Sequence, residues 1–143
     1  MSVFEYNSGS RIMVRVRHDA DLMGELNDLA VSQGIEAATF TAIGALKCAT
    51  LGYYNQTGHQ YGEIDIDYHC EIASCIGNIS IKDGTPFVHA HAVLADDKGN
   101  TKAGHLLGGT VFAAEVHIRT LVGPTLERQY DEVTGLSLWQ TED

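Results

Sequence analysis

Apolar and polar residues alternate with period two over residues 11–17. Ile12, Val14 and Val16 fall on one side, and Arg11, Arg15 and Arg17 on the other, with Met13 as the exception. That alternation predicts a half-buried strand. Over residues 19–33 the period changes to that of a helix. Leu22, Leu26, Leu29 and Ala30 form a stripe at i, i+4, i+7, i+8, so one face must pack on a sheet. Asp19 suits the N-cap, Asp21 the positive first turn, and Gly34 the residue that stops the helix.

Beyond Ile35 the pattern is mainly β. Residues 37–54 hold two strand-like runs pivoting near Gly44, and 55–58 make a hairpin turn. Residues 61–80 read as one or two strands, with Gly62 and Gly77 as candidate bulges. A turn at 82–86 leads into a strand at 87–95, and a second turn lies at 97–100. A short polar-to-glycine stretch, 101–109, precedes the strand 110–121. Gly123-Pro124 breaks that strand, and 125–130 returns as a short one. At the start, 3–6 reads as a short strand and 7–10 as a turn by composition. The tail carries Leu136, Leu138 and Trp139 and should dock. Hairpin-sized connections make the sheet largely antiparallel. The fold class is α/β of the α+β kind, a central antiparallel sheet flanked by one principal helix. Residues 1–143 are read as a single domain.

The strand 87–95 carries the candidate chemistry. His89 and His91 lie two apart and share a face, while Val88, Ala90, Ala92 and Leu94 take the other. Two imidazoles on one strand face can reach one ion. His105, behind Gly104, could complete the set, and three histidines leave a fourth position open. The metal would be divalent, zinc or equally nickel, copper or iron at this level of argument. Occupancy should fall below the imidazole pKa of ~6.5. Glu71 is a weaker candidate, a base or a partner behind the ligands; it shares strand parity with Glu63, Asp65, Asp67 and His69. Glu115, His117 and Arg119 read as a surface ladder, and His18 and His59 as exposed. No nucleophile motif, phosphate loop or nucleotide cofactor is implied.

Charge and cysteine usage narrow the setting. A net charge of −10 opposes duplex DNA, which is held through its phosphates by basic patches. Arg11, Arg15 and Arg17 form the one basic cluster. Cys48, Cys70 and Cys75 are odd in number with no C-x-x-C pair, which argues against a disulfide framework. No apolar run approaches the ~18 residues of a membrane span, and the N-terminus lacks signal-peptide character. A cytoplasmic protein is expected.

The run Phe87-Val88-His89-Ala90-His91-Ala92-Val93-Leu94, with Gly77-Asn78-Ile79-Ser80 and Ala103-Gly104-His105-Leu106-Leu107, resembles the plants and prokaryotes conserved (PPC, DUF296) domain family in its prokaryotic stand-alone form. Ala42-Ile43-Gly44-Ala45-Leu46, Leu51-Gly52-Tyr53, Glu5-Tyr6, Arg11 and Cys70-Glu71-Ile72 extend the likeness over nearly the whole chain. The resemblance implies an antiparallel sheet with a flanking helix, assembled as a homotrimer. It also implies a DNA-associated role, since plant members sit beside AT-hook segments. This chain has no Arg-Gly-Arg-Pro core and carries histidines where plant domains generally do not. Three readings follow: a trimeric metal site for a small anionic or carbonyl ligand, a DNA-associated regulator, or a structural module without metal.

Overall fold

The structure is a computed structural model describing residues 2–140. Its elements run β1 (Asn7–Val16), α1 (Leu22–Gln33), β2 (Ala38–Asn55), β3 (Gln60–Ile66), β4 (Cys70–Lys82), β5 (Thr85–Ala95), β6 (Thr101–Val122), β7 (Glu127–Asp131) and β8 (Leu136–Trp139). The sheet-dominated α+β class is as expected. Strand pairing is antiparallel except between β4 and β7, which run parallel through Ile81 with Glu127 and Lys82 with Arg128.

The helix lies where the stripe placed it, but its cap is Asp21 and not Asp19. The Asp21 carboxylate accepts from Gly24 N at 2.7 Å and from Gly109 N at 2.8 Å. One side chain thus closes the first turn of α1 and ties it to β6, an arrangement typically worth about 1 kcal/mol. Asp19 instead has φ 66° and pairs with Lys47. At the other end Gly34, φ 60°, and Ile35 donate to the Val31 and Ala30 carbonyls, the 6→1 and 5→2 closure of a left-handed cap. Leu22, Leu26 and Ala30 are buried, and α1 packs on β5 and β6. Each fully buried leucine contributes on the order of 2 kcal/mol of transfer free energy.

Two strands are longer than composition suggested. β2 is one strand whose bend falls at Gly44, φ 134°, where a Cβ would stand 2.1 Å from the Ala113 carbonyl oxygen. β6 takes in the stretch 101–109, read from sequence as non-strand. Its glycines serve close approach and not a turn: a Cβ on Gly104 would meet Gly52 O at 2.7 Å. Near the start, residues 3–6 are not a strand, and 7–10 are. Asn7 and Ser8 pair with Val122 and Leu121, and a bulge precedes Arg11, so the far end of β6 overrides turn-like composition. Gly62 and Gly77 keep register with Tyr53 and Ala90 and are not bulges. At Gly77 a side chain would strike Phe40 and the His89 carbonyl.

The pairings β2–β6, β6–β5, β5–β4 and β4–β2 close a ring of strands. Val88, Ala90, Ala92 and Leu94 join the buried core with Phe40, Leu46, Leu51, Ile79, Val116 and Ile118. The opposite face carries lateral rows set by register. One runs Met13, His117, Thr41, Ile76, His91, His105; its neighbour runs Arg11, Arg119, Thr39, Asn78, His89.

Candidate metal centre

His91 and His105 are direct cross-strand partners on β5 and β6. His89, two residues back, projects from the same face. Strand pleat and register therefore converge three imidazoles that sequence separates by up to sixteen positions. One ring nitrogen from each lies within 4.8 Å of the others, with ring centroids 4.9 to 5.6 Å apart. His89 and His105 are half-buried, and His91 is exposed.

Burial, followed by the facing His105, Arg128 and His91, pushes the His89 imidazole down to about 4. Burial, then His91 and Arg128, lowers His105 as well. Both rings are thus held neutral, the form that ligates metals. His105 Nδ1 is buried and has no hydrogen-bond partner. A buried polar nitrogen without a partner is costly, and a cation held at that nitrogen would satisfy it. The donor set of three imidazoles suits a borderline divalent metal such as zinc.

Behind His89 stands Arg128 from β7. Its Nε donates to Ser80 Oγ at 2.8 Å, Nη1 to Ser137 O at 3.1 Å and Nη2 to Asn78 Oδ1 at 2.9 Å, and Nη2 lies 3.5 Å from His89 Nδ1. Phe87 and Trp139 flank the guanidinium, each ring centre 5.5 Å away. Sequence reasoning left Arg128 inside a short strand. The available signal was parity, since it shares a strand side with Leu126, and both are buried.

His89 and His91 border a cavity of about 620 Å³ that Thr41, Asn78, His117, Arg119 and Trp139 also line. His117 and Arg119, read as part of an outer ladder, thus face the same space as His89 and His91. Glu115 pairs across with Arg15 away from it. Glu71 is exposed and opposite Ala95, whereas His91 faces Ile76. Five residues of strand, about 16 Å, keep its backbone from the cluster, and no other element carries it there. His18 and His59 are exposed, the first bonded to Phe112 O and the second stacked on Tyr54.

A model of the Plants and Prokaryotes Conserved (PCC) domain matches residues 3–122. The crystal structure of a metal-containing protein from Archaeoglobus fulgidus is similar at TM-score 0.95 and 40% identity, covering 98% of this chain and 99% of that one. A plant- and prokaryote-conserved protein of Pyrococcus horikoshii is similar at TM-score 0.94 and 35% identity, over 100% and 99%. A Ralstonia eutropha structure named "Putative DNA-binding protein" follows at 0.81 and 29%, over 91% and 90%. Among curated sequences, the bifunctional protein GlmU of a Synechococcus strain is 34% identical over 118 residues, 80% of this chain. The chain spans only 17% of that relative's length.

Proposed function

The chain belongs to the Plants and Prokaryotes Conserved domain family, and from that premise we propose that it is a homotrimeric metal-binding protein. In this reading residues 1–143 form one domain, and His89, His91 and His105 hold one divalent ion, zinc foremost. The position that three histidines leave open takes a small ligand. The observation that carries the reading is the cluster of mutually close imidazole nitrogens, one of whose members, His105, also has a buried, unpartnered Nδ1. Likeness to a metal-containing archaeal protein at 40% identity supports it. Elemental analysis of untagged protein offered zinc at about pH 7.5, above the ~6.5 imidazole reference, is expected to give one ion per subunit. No uptake would sink the assignment.

Assembly is the second part of the proposal. Met13, Ile43, Ile76 and Phe112 are more than half exposed, apolar surface that assembly would cover. Light scattering coupled to gel filtration should return about three times the 15.5 kDa chain mass. A clean monomer at micromolar concentration overturns it.

A cytoplasmic location fits three free cysteines, two of them buried. No helix among the described residues is long and apolar enough to cross a membrane. The DNA-associated reading keeps one observation in its favour, the row holding Arg11 and Arg119. The net charge of −10 weighs against it.

A further inference from the structure

The chain holds nineteen acidic residues against nine basic ones, yet among the described residues no aspartate or glutamate lines the cavity beside the histidines. Its charged wall is basic. Arg119 opens onto it, and Arg128 stands behind His89 and Asn78. Arg119 also lies directly across from Arg11 on β1, although like charges opposed on neighbouring strands are destabilising. Among the described residues the ion pairs involve Arg17, Lys47 and His18, and none reaches Arg11, Arg119 or Arg128. The partners of Arg128 are neutral oxygens, so they satisfy its N–H groups without cancelling its charge. Among the described residues, three guanidiniums therefore stand along or beside one row with no carboxylate paired to them.

We propose that this cavity binds a small organic anion, a carboxylate or comparable oxyanion, drawn between the histidine cluster and Arg119. The histidine end of this inference rests on the metal reading above; the arginine end does not. With a divalent ion at the histidines the site would carry positive charge at both ends, and an anion is the ligand that lowers its energy. The size agrees with a small molecule, since about 620 Å³ falls within the range of about 300–1,000 Å³ for such sites. Along the row Arg119, Thr39, Asn78, His89 three strand spacings separate the ends, at most about 14 Å at the backbone. Once side chains reach in from each end, room remains for a few carbons. Asn78 and Thr41 supply neutral hydrogen-bonding groups along that path.

Ligand-observed NMR tests this with succinate, inorganic phosphate and the neutral isostere succinamide, on metal-free and zinc-loaded protein. An anion is expected to bind at least about tenfold more tightly than succinamide. Arg119→Gln, at an exposed position, should weaken it by a similar factor with metal content unchanged. Equal binding of succinate and succinamide, an indifferent Arg119→Gln variant, or no engagement of either anion at millimolar concentration overturns the proposal. If zinc content is zero, the metal reading falls by itself, and the succinate–succinamide ratio of the metal-free protein still decides the anion question. Duplex DNA binding with a steep salt slope, while neither small anion binds, would assign the arginines to phosphate backbone and overturn it too.

Discussion

Replacing His89 by alanine is expected to take zinc retention through gel filtration from one ion per subunit to none, with the fold intact. Among the described residues three protein ligands are on offer, and each carries a large share of a binding free energy that reaches about 10–16 kcal/mol in fully liganded zinc sites. Stability should survive because the packing side of β5 is untouched: Val88, Ala90, Ala92 and Leu94 are each at most 3% exposed. His117→Ala is the internal control. It lines the same cavity but lies outside the cluster, so its metal content should match the wild type. Full retention by the His89 variant would show that the ion, if bound, sits elsewhere.

The same imidazole gives the metal-free protein a pH dependence of known sign. His89 falls from the ordinary 6.5 to about 4 on folding. Between those values the unfolded chain binds the extra proton, so stability rises with pH through the window. The contribution is complete above about 6.5 and is lost as pH falls through about 4, its upper bound of about 3.4 kcal/mol at 1.36 kcal/mol per unit being reduced by solvent screening at a half-buried ring. Burial at His89 and His105 opposes protonation of two of the three ligands, so acid should displace the ion less readily than from free imidazoles.

The site was legible wherever period and spacing carry the information. His89 and His91 share a face because strand pleat has period two, and the apolar alternation around them fixed which face is core. The stripe of α1 located its packing surface, and Gly44 marked the bend of β2. What stayed hidden depends on contacts distant in sequence. Asp21 displaces Asp19 as the cap because it can also hold Gly109 N, eighty-eight residues away. The glycines of 101–109 look like loop until the opposing backbone of β2 is placed against them. The joining of the arginine row to the histidine cavity needs the register of five strands, which no local pattern encodes.

Replacing Arg128 by methionine is expected to destabilise the protein by about 2–3 kcal/mol while leaving zinc bound as tightly or more so. Two effects oppose each other. Methionine relieves the desolvation of a buried guanidinium, which alone can make such a change neutral. Against that, Ser80 Oγ in a fully buried residue and Asn78 Oδ1 lose their donor, and each unsatisfied buried group costs about 1–3 kcal/mol. The stacking between Phe87 and Trp139 loses its cationic part as well. The losses outweigh the relief. Arg128→Lys should not rescue, since one ammonium cannot reproduce a planar fork with three separately placed acceptors. Denaturant melts would read the stability change, and hydrogen exchange should rise along β7 and β8, which Arg128 ties to β4. Zinc affinity moves the other way because the guanidinium, 3.5 Å from His89 Nδ1, repels a dication. Unchanged stability, or loss of zinc in the methionine variant, would show that Arg128 neither anchors the hairpin nor sets the charge of the cavity.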